Sequence, residues 1–169
     1  MDLLEAITTR RSIRSYTDQP VSDDLVQEII RAGMMAPSAG NQRPWHFIVI
    51  RDQELLAQVP GFHPYAKMVT KAPVSILVCG APEGKKWPDF WPQDCSAALQ
   101  NMLLAARALG RGTVWAGIYP LEDRVSAART LFGIPESVIP FAIVPVGWPK
   151  DAFVPKNRFE PELVHKERW

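Results

Sequence analysis

Three arginines fall within five positions near the amino terminus, in Arg10-Arg11-Ser12-Ile13-Arg14. Like charge this dense needs an anion to neutralise it. Phosphate suits best, because guanidinium groups grip it through paired N–H donors and stay charged at any working pH. The cluster therefore reads as a seat for a phosphorylated cofactor. If the segment is helical, Arg10 and Arg14 are four residues apart on one face, with the Ser12 hydroxyl nearby. A solvated basic turn accounts for the same residues taken alone.

A second cationic pair stands near the other end, in Val154-Pro155-Lys156-Asn157-Arg158. Extended backbone would send the Lys156 and Arg158 side chains to one side. A solvated tail explains this pair equally well by itself; joined to the arginines at the start, it completes a two-sided phosphate clamp. Between them lies Ala36-Pro37-Ser38-Ala39-Gly40-Asn41-Gln42-Arg43-Pro44-Trp45, small residues and amides between two prolines. Such a loop lets backbone approach a flat ligand, while Ser38 and Asn41 can donate and accept hydrogen bonds at its edge. An ordinary turn is the plain alternative.

Other chemistries find little support. No Ser-His-Asp set is evident, and His46, His63 and His165 have no metal-like spacing and read as structural or surface residues. Gly110-Arg111-Gly112 is followed by Thr113-Val114-Trp115, without the third glycine of a dinucleotide fingerprint. Cys79 and Cys95 are too few for a disulfide scaffold. A net charge of +1, from 19 basic and 18 acidic side chains, argues against a broad nucleic-acid surface. No signal peptide or membrane-spanning stretch is read, so a reducing, cytoplasmic setting is expected.

The elements that must carry these residues fit one domain over residues 1–169, with 47% apolar side chains to fill its core. A short helix is expected over Asp2–Thr9. Ser22 caps a second, with Asp23 and Asp24 in its first turn, a Val21–Val26 staple and a buried face of Leu25, Ile29, Ile30 and Met34. It ends near Met35, because Ala36 precedes Pro37. His46–Ile50 and Val74–Cys79 read as buried strands, with a short helix at Glu54–Val59 capped by Asp52 between them. Ala81–Gln93 reads as a long loop or a partly helical excursion. Asp94–Leu109 is the clearest helix, with Ala98, Leu99, Met102, Leu103, Ala106 and Leu109 at helical spacing and Gly110 as its stop. A strand at Thr113–Ala116, a helix at Asp123–Phe132 closed by Gly133 and a strand at Phe141–Val146 follow. The tail from Gly147 lacks periodicity, and the interleaving predicts a mixed α/β domain.

Taken in order and spacing, these motifs resemble the FMN-dependent nitroreductase family, in particular its short members. The resemblance spans nearly the whole chain and includes Leu109-Gly110, Val114-Trp115-Ala116-Gly117 and Pro145-Val146-Gly147. It implies an α+β fold, an α/β/α sandwich around a mixed, mainly antiparallel sheet, in an intertwined homodimer with FMN in two clefts built from both subunits. Arg10, Ser12, Lys156 and Arg158 fall at the positions that hold the FMN phosphate and ribityl chain, with Arg11 beside them, and Arg14 faces the N1 and O2 edge of the flavin. Pro37, Ser38, Ala39 and Asn41 come from the partner subunit to line the ring. Gly117 and Ile118 offer backbone N–H groups near N5 and O4, and Lys67 approaches the pyrimidine edge.

The resemblance further implies hydride transfer from NADH or NADPH and ping-pong reduction of nitroaromatic, quinone or similar conjugated acceptors. A fixed cation at N1 and O2 favours the reduced flavin, so Arg14 and Gly117 support chemistry that the cofactor itself performs. Phe62, Tyr65, Trp87, Phe90 and Trp91 are candidates for the wall that stacks planar substrates, with core packing as the alternative for each. The chain departs from longer members in its compact middle after Cys79, so any helical excursion that would cover the flavin is reduced, or rebuilt from Pro82 to Pro92. A flavin-storing or sensing module, and specialised flavin chemistry on one metabolite, are the rival readings.

Overall fold

Why the elements fall where they do is visible in the computed structural model, which describes residues 1–169. Helix α1 spans Leu3–Thr9 and α2 spans Asp23–Met34. The Ser22 hydroxyl accepts from Leu25 N at 3.4 Å, and Asp23 and Asp24 occupy the positive end of α2. The buried stripe of α2 is Val26, Ile29 and Gly33, flanked by Leu25 and Ile30; Met34, expected inside, is 50% exposed. Gly33 takes the inward place because the helix that carries Met102 passes so close that a methyl there would meet Met102 Cγ at 2.8 Å.

Strand β1 (Trp45–Ile50) leads through α3 (Gln53–Phe62) and a 3₁₀ turn (Pro64–Lys71) to β2 (Val74–Gly80). Asp52 caps α3 by accepting from Glu54 N and Leu55 N, at 2.8 and 3.2 Å. The helix runs one turn past its expected end, carrying Pro60 inside it. The Pro64–Lys71 turn has no counterpart in the sequence reading. Within Pro82–Pro92, a 3₁₀ turn at Pro88–Phe90 runs directly into α4 (Trp91–Ala108), which thus starts three residues before its expected first residue. Pro92 is tolerated in the first turn, where backbone N–H groups lack helical partners anyway. All the expected stripe of α4 is buried except Leu109, which lies just past the helix end.

The expected Thr113–Ala116 strand is split into β3 (Gly112–Thr113) and β4 (Ala116–Gly117), both paired to β5 (Ile139–Gly147). Between them α5 covers Glu122–Phe132, closed by Gly133 in the left-handed region at φ 63°. The sheet order is β1-β2-β5-β3, with β4 also on β5, and every strand pair is antiparallel.

Alternation along the two central strands builds the layers. Val74, Ile76 and Val78 of β2 and Ala142, Val144 and Val146 of β5 face α2 and α4, while Leu77, Cys79 and Ile143 face α3 and α5. Both faces are covered, so β2 is buried along its whole length, and each fully buried Leu or Ile contributes about 1.5–3 kcal/mol. By contrast β1 is an edge strand. His46 and Val49 are exposed, so it is less buried than its apolar sequence suggests.

Candidate functional site

The arginine segment is not helical. Arg10 ends α1 with φ −58° and ψ 127°, and the chain continues extended, with Ser12 bridging Thr113 in parallel and Tyr16 bridging Pro149. Ile13 donates its N–H to Thr113 O at 2.9 Å, and the Tyr16 hydroxyl donates to Ile13 O at 2.6 Å. Ile13 and Tyr16 are buried; Ser12 and Arg14 are exposed. Extended backbone repeats every second residue, so Arg10, Ser12 and Arg14 still share a side, by strand geometry instead of helix geometry.

Two glycines make room for this strap. A methyl on Gly112 would come within 2.6 Å of Ile13 Cγ2, and one on Gly147 within 2.7 Å of the Tyr16 ring. Arg11 departs from the expected set: its guanidinium donates to Thr8 O at 2.7 Å and to Arg10 O, closing the carbonyl end of α1.

The carboxyl-terminal tail crosses the same region. Thr17 N donates to Trp148 O at 2.9 Å and Lys150 N to Ser15 O at 3.0 Å. Two buried arginines at the end of α4 fasten it further: Arg111 stacks on Trp148 at 3.4 Å, and Arg107 on Phe153 at 3.9 Å while donating from Nε to Thr9 Oγ1 at 2.9 Å. The outcome is electrostatic. Arg10 is held below the ordinary guanidinium range, first by burial and then by the positive charges of Arg11 and Arg158. Ends far apart in sequence thus converge.

None of Arg10, Arg11, Arg14, Lys156 or Arg158 takes part in the three ion pairs, which join Arg31–Glu28, Arg51–Asp23 and Arg129–Glu136. Lys156 and Arg158 are exposed. Arg10, Arg11 and Arg158 are thus mutually repelling cations without an ion-paired carboxylate, a charge pattern that suits an anion.

The Ala36–Trp45 loop is built separately. Ala39 N donates to the buried Asp94 Oδ1 at 2.9 Å, and Arg43 N to Ser38 Oγ at 2.9 Å. Gln42 and Trp87 clasp each other, Trp87 N donating to Gln42 Oε1 at 2.8 Å and Gln42 Nε2 to Trp87 O at 3.3 Å. Asn41 and Arg43 hold positive φ of 54° and 48°, which non-glycine residues adopt at a cost. No hydrogen bond links Pro37, Ser38, Ala39 or Asn41 to the arginine cluster within the chain. Asp94 and Gln42 organise this loop, and sequence reasoning missed both; a carboxylate inside an apolar helical stripe was the available signal.

Of the two expected backbone donors, Ile118 gives its N–H to Phe141 O at 2.9 Å and has none to offer a ligand. Antiparallel alternation turns Gly117 the other way, and its carbonyl accepts from Arg124 Nη1 at 3.2 Å. The same Arg124 Nη1 lies 3.4 Å from Nε2 of the buried His63, whose pKa is depressed by burial first and by the Arg124 charge second. From sequence His63 had only a structural or surface role and Arg124 was not singled out, because their meeting depends on the α3 and α5 regions packing side by side. Lys67 is exposed on the Pro64–Lys71 turn.

The aromatic candidates divide. Trp91 is core, edge-on to Tyr119 at 4.7 Å and to Phe141 at 5.6 Å. Trp87 and Phe90, about half exposed, form with Ala39 and Gly40 an apolar hollow of about 230 Å³. Tyr65 is exposed and Phe62 half-buried. The largest hollow, about 650 Å³, lies around Arg14, Lys71 and Lys150 and shares only Arg14 with the expected set. No three His, Cys, Asp or Glu side chains converge as metal ligands.

Known proteins resemble the chain along most of its length. The nitroreductase family pattern matches residues 7–62 and 62–148. A Methanothermobacter thermautotrophicus protein, provisionally named NADH dehydrogenase/NAD(P)H nitroreductase, is 53% identical over all of this chain and 88% of its own length. The crystal structure of a provisionally named NADH oxidase from Clostridium acetobutylicum superposes with a TM-score of 0.94 at 37% identity, covering 97% of this chain and 99% of the other. A provisionally assigned nitroreductase from Desulfovibrio desulfuricans, solved in complex with FMN, gives a TM-score of 0.84 at 36% identity, covering 100% and 98%. The family pattern over most of the chain, and a relative at 53% identity matched along most of its own length, show that the chain belongs to the nitroreductase family.

Proposed function

We propose that the protein is an FMN-dependent, homodimeric oxidoreductase that takes hydride from NADH or NADPH and reduces nitroaromatic, quinone or similar conjugated acceptors in a ping-pong cycle. The observation that carries this is the uncompensated convergence of Arg10 with Arg158, which suits the doubly ionised phosphate ester of FMN. Relatives bearing the names of NAD(P)H-dependent reductases, and the FMN-bound relative, support the same reading.

Arg10, Lys156 and Arg158 would hold the phosphate and Ser12 the ribityl chain. Arg14 would place its charge at the N1 and O2 edge, and Gly117 its free N–H at N5, held in orientation by the Arg124 contact to its carbonyl. Pro37, Ser38, Ala39 and Asn41 would line the ring from the partner subunit, consistent with the lack of hydrogen bonds to the cluster in their own chain. Lys67 would stand at the pyrimidine edge, whereas Ile118 contributes a buried side chain, and Arg11 closes α1. FMN, when bound, supplies the two-electron acceptor; the protein supplies position, fixed charge and exclusion of water. Leu3, Leu4 and Ile7 of α1 and Phe159, Leu163 and Trp169 of the tail are exposed apolar residues for a second copy to cover. Free Cys79 and Cys95 suit a reducing cytoplasm, and no helix is long and apolar enough to cross a membrane.

The test is direct. The purified protein is expected to be yellow or to take up FMN, and stopped-flow mixing with NADH or NADPH should bleach the bound flavin rapidly. Slow bleaching would favour a storage or sensing role, and a colourless protein that ignores added FMN would overturn the proposal.

A further inference from the structure

The largest hollow of the molecule lies beside the arginine segment, beyond Arg14. At about 650 Å³ it falls within the range of small-molecule sites, roughly 300–1,000 Å³. Its walls are polar. Arg14, Lys71 and Lys150 bring three positive charges against one carboxylate, Asp18, a formal balance of +2. None of these four residues is in an ion pair. Arg14 makes a single 3.5 Å hydrogen bond, to Ser12 O.

Hydroxyls fill the gaps between the charges. The Thr17 hydroxyl accepts from Gln19 N and keeps its proton to donate, whereas Thr70 donates to Lys67 O and keeps lone pairs to accept. Three cations and a hydroxyl donor, together with a carboxylate and a hydroxyl acceptor, line one hollow and match a molecule that combines phosphates with sugar hydroxyls. They do not match a nitroaromatic or a quinone, which would strand these groups unpaired.

We infer that this hollow binds the phosphate and ribose portion of the nicotinamide dinucleotide donor, with Lys71 and Lys150 on the phosphates and Asp18 and Thr70 on sugar hydroxyls. The inference rests on the proposed function, because Arg14 joins the two sites: it belongs both to the flavin edge and to the hollow. The site also accounts for donor binding by a chain that lacks the third glycine of a dinucleotide fingerprint.

The experiment compares the holoenzyme with a Lys71→Gln/Lys150→Gln double variant, leaving Arg14 in place. Calorimetry with ADP-ribose, which carries the phosphates but no nicotinamide, is expected to show affinity falling about tenfold or more, since charged hydrogen bonds are lost. The KM for NADH and NADPH should rise by a similar factor, whereas flavin reduction by phosphate-free N-ribosyl dihydronicotinamide and the FMN content should stay at the wild-type level. Unchanged ADP-ribose affinity with unchanged KM overturns the inference. So does loss of FMN from the double variant, which would assign these lysines to the flavin's own phosphate. So does equal slowing with the phosphate-free donor. Failure of the wild type to bind FMN, or to be reduced by any of the three donors, is a separate result that overturns the parent reading and this inference with it.

Discussion

A guanidinium whose charge is disfavoured by burial and by two neighbouring guanidiniums, and which has no ion-paired carboxylate, gains from an anion, and Arg10 stands in that position. Replacing Arg10 and Arg158 together by alanine is expected to weaken FMN binding by at least tenfold for each lost charged hydrogen bond, read by fluorescence titration of the flavin. Full flavin occupancy in that variant would remove both residues from the site. Arg11 serves as the internal contrast, because its guanidinium is spent on the carbonyls of Thr8 and Arg10. Arg11→Ala should lower stability by about 1 kcal/mol, seen as an earlier urea midpoint, and leave FMN affinity nearly unchanged. His63 supplies a pH-dependent term. Its folded pKa lies below the ordinary value of 6.5, so between the two values the unfolded chain holds more protons and stability rises with pH. Its contribution is fully present above about 6.5 and is lost as pH falls through the depressed folded value. The difference in urea midpoint between about pH 5 and pH 7.5 should therefore be smaller in His63→Asn than in the wild type; an equal difference would show that the imidazole is not held neutral. From sequence the arginines were legible as a cluster of cations because charge type is written in the residue, whereas the burial that depresses His63 is a property of its neighbours.

At the scale of elements, two straps make the site. The Arg10–Tyr16 segment lies on β3 and β5 because Gly112 and Gly147 leave space for Ile13 and Tyr16, and the tail lies on that segment because Arg107 and Arg111 stack on Phe153 and Trp148. A Gly112→Ala change pushes against the Ile13 side chain and the strap must move. It should cost about 1–3 kcal/mol by thermal or urea unfolding and weaken FMN binding in parallel, although residue 112 touches no ligand. Normal FMN affinity in a destabilised variant would separate the strap from the site. The helices were readable one by one, since caps and 3.6-residue spacing are local signals: Ser22 and Asp52 start α2 and α3 where expected. Whether the strap is helical or extended stayed open in the sequence, because the pairing of Arg10 with Arg14 suits a helix as well as a strand, and only the bridges to Thr113 and Pro149 decide between them. Similarly, the apolar run at Thr113–Ala116 does not reveal that it breaks into two short strands on β5.

For the whole molecule, the decisive feature is that one chain presents its cations and its Ala36–Trp45 loop without joining them by a hydrogen bond, while apolar side chains of α1 and the tail remain in water. A second copy would settle both at once. Gel filtration should give twice the 18.9 kDa chain mass, and dilution below the dimer dissociation constant should release FMN together with the partner; a monomer that keeps its flavin would contradict the shared cleft. The sequence by itself determined the chemistry on offer. Guanidinium and ammonium groups, a small-residue loop, helix caps and an apolar core are composition and local spacing, and they sufficed for a mixed α/β domain, while the α+β nitroreductase-like fold followed from the resemblance that the ordered motifs carry. Tertiary structure decided which of those groups meet. It spent Arg11 on a helix end and Ile118 on the sheet, turned Gly117 outward, and brought His63 to Arg124. It also gathered Lys71 and Lys150 around Arg14. The physical reason is that charge and hydrogen-bonding capacity belong to a residue, whereas desolvation and pairing depend on neighbours far along the chain, which only the packed layers bring within reach.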